Sequence, residues 1–124
     1  PLDPPPTLLP LSPSLLELTL YDNALTRMPD LSSFSSLDSL FIHANKITHV
    51  PANHLPASLT ELKLHDNDLR SIATDAFIHL VSLESLSLHG NRRLICVPSL
   101  PRGLEDQTVI TVDSSAKACR QQST

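Results

Sequence analysis

The sequence predicts a solenoid, a stack of like turns that share one hydrophobic core. Three observations predict it. Leucines recur with a period of 22 to 24 residues along most of the chain. Within each period an x-Leu-x-Leu-x stretch alternates with period two, as a half-buried strand does. Prolines recur between those stretches, where they favour extended or polyproline-like connections over long helices.

The repeat can be read residue by residue. The first unit is Leu15-x-x-Leu18-x-Leu20-x-x-Asn23-x-Leu25, and the second is Leu37-x-x-Leu40-x-Ile42-x-x-Asn45-x-Ile47. The third is Leu59-x-x-Leu62-x-Leu64-x-x-Asn67-x-Leu69; the fourth is Leu83-x-x-Leu86-x-Leu88-x-x-Asn91, with one extra residue before Leu94. One such unit has too little core to stand alone, but stacked units share one. With 24 leucines and only 3% aromatic residues in 124, that core must be aliphatic. Hydrophobic content of 40% against 18% charged residues fits a folded chain rather than a disordered one.

Charge and motifs narrow the function classes. A net charge of −4 lacks the basic footprint of a nucleic-acid binder, so no nucleic-acid partner is expected. No apolar run approaches the roughly 18–20 residues needed to span a bilayer. With two glycines there is no phosphate-cradling loop and no nucleophile elbow, so neither catalysis nor a cofactor is expected. Two cysteines alone cannot complete a tetrahedral zinc site, and no metal is expected. An opening at Pro1 rather than Met suits a mature product or a piece of a longer chain alike.

The repeat resembles the leucine-rich-repeat family over about residues 11–104. The resemblance implies an α/β solenoid: a short curved horseshoe segment with a parallel concave β-sheet of four to five strands and a mostly irregular or polyproline-like convex side. At about 4.8 Å between strands, four of them make a sheet roughly 15–20 Å wide. Asn23, Asn45, Asn67 and Asn91 are expected to point inward where the chain turns. An amide both donates and accepts, so each can satisfy backbone groups of adjacent turns.

On the convex side Met28-Pro29, Val50-Pro51 and Val97-Pro98 occupy matching places. Leu11-Ser12-Pro13-Ser14-Leu15 and Leu55-Pro56-Ala57-Ser58-Leu59 are similar lead-ins to strands. Ile72-x-x-x-Ala76-Phe77-x-x-Leu80 lengthens the third unit and resembles the form common in extracellular members. Thr74 or Asp75 is expected to cap a short helical turn there. Phe34, Phe77 and Leu80 are expected to fill the core.

A solenoid needs its ends covered, because a terminal repeat exposes core and an unpaired strand edge. The chain divides into a proline-rich lead or partial cap over 1–14, four repeats over 15–98, and a degenerate fifth repeat with C-terminal cap over 99–124. Thr108-Val109-Ile110-Thr111-Val112 reads as the fifth strand. Cys96 and Cys119 flank that repeat, and many extracellular members of the family have cysteine-stapled ends. A disulfide between them closes a loop worth roughly 3 kcal/mol in the chain-entropy model. The alternative is two unrelated thiols, one of them a core residue.

The residues between the core positions are expected on the concave face, where the family usually docks partners. They are Glu17, Thr19, Tyr21 and Asp22; Ser39, Phe41, His43 and Ala44; Glu61, Lys63, His65 and Asp66; and Ser85, Ser87, His89 and Gly90. Phe41 and Tyr21 are the only aromatics there, and an exposed ring on a sheet is a candidate anchor. His43, His65 and His89 share one position, with Tyr21 completing a ladder of side chains about 5 Å apart. Three readings stand open: drift at a position where the family often has His; a pH-sensitive patch; or a metal site with Asp66, although a parallel ladder converges poorly on one ion.

The expected function is a non-catalytic recognition module, extracellular or at the cell surface, that binds a protein or glycan on the concave sheet. The alternatives are a structural segment of a larger extracellular fibre, coat or scaffold assembled with other chains, and an intracellular, cytoplasmic adaptor.

Overall fold

The computed structural model describes residues 14–101, 104, 108–113 and 117–118. Each x-Leu-x-Leu-x stretch forms a strand of three residues. In chain order the strands are β1 (Glu17–Thr19), β2 (Ser39–Phe41), β3 (His49–Val50), β4 (Glu61–Lys63), β5 (Ser71–Ile72), β6 (Ser85–Ser87), β7 (Cys96–Val97), β8 (Val109–Thr111) and β9 (Lys117–Ala118). β1, β2, β4, β6 and β8 make one sheet in that order, and every pairing in it is parallel. Leu18, Leu40, Leu62, Leu86 and Ile110 are in register across it. The offset between paired residues equals the sequence period, so each repeat is one turn of a solenoid.

The core lies between this sheet and the opposite wall. Leu37, Leu40, Ile42, Ile47, Val50, Leu59, Leu62, Leu64, Leu69 and Leu86 are fully buried. Phe34, Phe77 and Leu80 close the core from the convex side. At about 25 cal/mol per Å2 of apolar surface removed from water, each such side chain contributes on the order of 2 kcal/mol. The end strands are less well covered. Leu18 is 9% exposed and Ile110 is 36% exposed, because each has a neighbouring described turn on one side only.

The convex side differs from an irregular polyproline path in two places. β3 pairs with β5, and β7 pairs with β9, both parallel. Pro51 and Pro98 directly follow β3 and β7; without an N–H they cannot extend the ladder. The helical turn expected near Thr74 and Asp75 is a correction. The segment makes isolated turns, with Ala76 N donating to Ala73 O at 2.9 Å and Leu80 N to Phe77 O at 3.0 Å. No helix occurs among the described residues. Burying Ala76, Phe77 and Leu80 in one short span takes precedence over regular helical bonding. Residues 1–13 of the proline-rich lead lie outside the described residues.

Asparagine side chains tie the turns together. Asn45 Nδ2 donates to Ile42 O and His43 O in its own turn and to Leu20 O in the preceding one, and its Oδ1 accepts from Leu25 N. Asn67 repeats this with Leu64 O, His65 O, Ile42 O and Ile47 N. Asn91 does so with Leu88 O, His89 O and Leu64 O, and accepts from both Asn67 N and Leu69 N. Asn23 is different. It is exposed, and its Nδ2 donates only within its own turn, to Leu20 O and Tyr21 O.

Replacing Asn91, which is 1% exposed, strands two amide donors and three carbonyls. Asn91→Ala is therefore expected to cost about 3 kcal/mol in urea unfolding, against less than about 1 kcal/mol for Asn23→Ala. Equal losses at the two positions would contradict this account of the ladder.

Candidate functional site

The sheet's solvent face is built from the residues that flank its central leucines. Register places Glu17, Ser39, Glu61, Ser85 and Val109 in one column, and Thr19, Phe41, Lys63, Ser87 and Thr111 in the next. A third column follows just beyond the strand ends. Tyr21 stacks on His43 with ring centroids 4.8 Å apart and planes 9° from parallel. His43 stacks on His65 at 4.3 Å and 13°, and His65 on His89 at 4.6 Å and 8°. These distances match the spacing of neighbouring strands, about 4.8 Å, so strand register itself forces the rings into contact.

Part of this face forms a groove of about 530 Å3 lined by Glu17, Thr19, Tyr21, Phe41, His43, Lys63 and His65. It brings together both aromatics and two members of the histidine column. Tyr21 is 50% exposed at its rim, and Phe41 is half-buried. Lys63 Nζ lies 3.1 Å from Glu61 Oε2 along the same strand. Ser39, Glu61, Asp22, Asp66 and His89 stand outside the lining of this groove. Ser87, expected on the docking surface, is only 7% exposed. Its short side chain lies between Lys63 and Thr111 in register and presents little surface.

The histidine column is electrostatically unusual. Nδ1 of His43, His65 and His89 is buried and has no hydrogen-bond partner. A neutral imidazole fits such a place with the proton on Nε2, leaving Nδ1 a bare acceptor; a protonated ring would bury an N–H with nothing to receive it. Burial is the main reason that His43 titrates below its ordinary value of 6.5; Lys63 adds to the shift, and Asp66 and Asp22 oppose it. Burial also lowers His65, followed by the neighbouring His43 and His89. Two unit charges about 4 Å apart repel by roughly 1 kcal/mol in bulk water and about 4 kcal/mol near a protein surface.

Two features of the site were not anticipated. Asp22, Ala44, Asp66 and Gly90 occupy one position, directly after the ring column, and all have φ between 56° and 74°. In this left-handed turn Gly is unstrained and Asp is tolerated, but Ala44 is not favoured. The signal was present in the residue types: Asp, Asp and Gly at three of four equivalent places. A Cβ on Gly90 would meet the Asp66 carboxylate, so a side chain there would displace that of Asp66.

The second feature is Asp113, two residues beyond β8. Its carboxylate accepts Gly90 N at 3.1 Å and Asn91 N at 3.0 Å. In the earlier turns the corresponding first amide donates to a backbone carbonyl of the next turn, as Asp66 N does to His89 O. Asp113 thus substitutes a carboxylate for that backbone acceptor at the last turn. On the convex side His49 Nδ1 lies 2.7 Å from Ser71 Oγ. Among the described residues no carboxylate contacts the other ring nitrogen, so the pair lacks the orienting acid of a nucleophilic dyad. Cys96 is in a disulfide. Cys119, the chain's other cysteine, lies outside the described residues.

A family model described as leucine rich repeat matches residues 35–92. The chain's central turns are leucine-rich repeats. Similar proteins include the human leucine-rich repeats and immunoglobulin-like domains protein 1, 39% identical over 83 residues, which are 64% of this chain and 8% of that protein. Chicken epiphycan is 28% identical over 130 residues, 73% of this chain and 41% of its own length. The Xenopus tropicalis leucine-rich repeat-containing G-protein coupled receptor 5 is 41% identical over 80 residues, 62% and 9% respectively. This leucine-rich-repeat chain therefore spans less than half the length of the curated relatives it matches. In its described residues no helix is long and apolar enough to cross a membrane.

Two predictions follow from the left-handed turn and the ring column. Ala44→Gly is expected to raise stability by about 0.5–1 kcal/mol in denaturant unfolding, since it relieves an L-residue at positive φ. His43 and His65 titrate lower in the folded chain than in the unfolded one, so the unfolded state takes up protons first as pH falls below about 6.5. Their contribution to stability is complete above that pH and is lost below it. Between pH 7.5 and 5, the double variant H43Q/H65Q is expected to lose less in melting temperature than the natural chain.

Proposed function

We propose that this chain is a recognition module that docks a protein partner on its concave sheet, outside the cell or at its surface. The observation that carries the reading is the groove lined by Tyr21, Phe41, Lys63 and the first two histidines. It combines what recognition surfaces use: two rings for apolar contact area, the charged groups Lys63 and Glu17, and a sheet of paired strands beneath them. The backbone of that sheet is held in place by the asparagine bonds, so a partner meets a preformed surface and little ordering cost.

Two further facts support the setting. The relatives are named as a receptor, a leucine-rich-repeat and immunoglobulin-like protein, and epiphycan, and none of those names is that of an enzyme. The Cys96 disulfide suits an oxidising compartment, which favours this reading over an intracellular adaptor. Cys96–Cys119 pairing in the secreted chain is part of the proposal.

The test compares faces. A partner selected from a displayed library of extracellular proteins is titrated against the chain and two variants. Tyr21→Ala/Phe41→Ala/Lys63→Ala is expected to weaken binding by roughly tenfold or more, in line with loss of central interface anchors. The convex variant Ile78→Ala/Val81→Ala removes two exposed side chains from the other face and is expected to change affinity less than about twofold. The reverse ranking would move the docking surface to the convex side.

A further inference from the structure

We propose that the stacked column of Tyr21, His43, His65 and His89 is an acid-operated switch in the concave groove: neutral and stacked it presents the docking surface, and protonated it unstacks and withdraws that surface from a partner. The inference deepens the docking reading above and rests on it for its effect on binding.

The column has no means of holding added charge in its stacked form. The three imidazoles lie face to face with centroids 4.3 and 4.6 Å apart and planes within 13° of parallel. Protonating neighbouring rings places two cations face to face. Each buried Nδ1 also lacks an acceptor, so a proton there forms an N–H with no partner. Rotating the ring outward relieves both conditions, since water then receives the N–H and the cations separate.

The charged groups around the column do not remove this conflict. From β4, Lys63 adds positive charge beside His43 and His65, while Glu61 is engaged with Lys63. Asp22 and Asp66, in the turns after β1 and β4, attract the charged rings, yet neither accepts a bond from an Nδ1. Glu17 lines the groove from β1. Asp113, beyond β8, is committed to the amides of Gly90 and Asn91. Burial outweighs the attraction of the acids at both His43 and His65.

The outer ring reports on the switch. Tyr21 is the chain's only tyrosine and there is no tryptophan, so its emission isolates the end of the stack. The experiment is a titration of the full chain from pH 8 to 5, reading Tyr21 together with far-UV dichroism for the fold. The expected result is a Tyr21 transition with its midpoint below about 6.5, over which the far-UV signal is constant. His43→Gln abolishes that transition, and the convex control His49→Gln leaves it in place. Should His43→Gln fail to fold, His65→Gln removes the ring behind His43 and is expected to shift the midpoint upward. A Tyr21 signal flat across the range overturns the switch, as does a transition that His43→Gln leaves unchanged. The titration uses no partner. A flat signal therefore overturns the switch without touching the docking test, and undiminished affinity of the triple variant overturns docking without touching the titration.

Discussion

The fold depends on one recurring constraint, the asparagine side chain that bonds to backbone groups of two successive turns at once. Asn45, Asn67 and Asn91 each reach a carbonyl in their own turn and both a carbonyl and an amide in the turn before. A buried amide that is satisfied in this way allows one spacing between turns and one register between strands. The leucine core alone would tolerate sliding, because apolar attraction has no direction. The bonds point back toward the preceding turn, which explains the asymmetry of the ends. Asn23 bonds within its own turn and is exposed, whereas at the far end the carboxylate of Asp113 supplies the acceptors.

Fixed register has a consequence beyond the core. It places like position beside like position at strand spacing along the whole sheet. For leucine this is favourable, and the inner columns are dry and closely packed. For histidine it stacks three titratable rings with their Nδ1 atoms buried. The same stacking holds the turn residues Asp22, Ala44, Asp66 and Gly90 in one left-handed conformation. That turn carries the chain from the ring column to the inward asparagine, so the exposed ring column and the structural ladder are two sides of one short segment.

The concave surface therefore has paired strands beneath its centre and its stacked rings just beyond the strand ends. Phe41 and Lys63 stand on strands whose backbones are paired on both sides. Tyr21 stands at the open end of the column, half exposed, with one ring neighbour. A surface of this kind takes its shape from the sheet, and its titratable rings lie together in the column.

The repeat, the central strands and the core leucines were legible in the sequence, because period and alternation follow from local geometry. The inward asparagines were legible in part: their position was evident, but the exposure of Asn23 was not, since it depends on what lies beside the first turn. The ring column was visible as a shared repeat position, and its spacing followed from strand pairing. The orphaned Nδ1 atoms, the burial of Ser87 and the carboxylate cap of Asp113 were decided by the tertiary structure. So were the convex ladders of β3 with β5 and β7 with β9, and the replacement of a helical turn by single turns around Ala76. Apart from those local turns, each of these depends on which atoms of residues from different turns meet in space, whereas the period of the repeat is written within every turn.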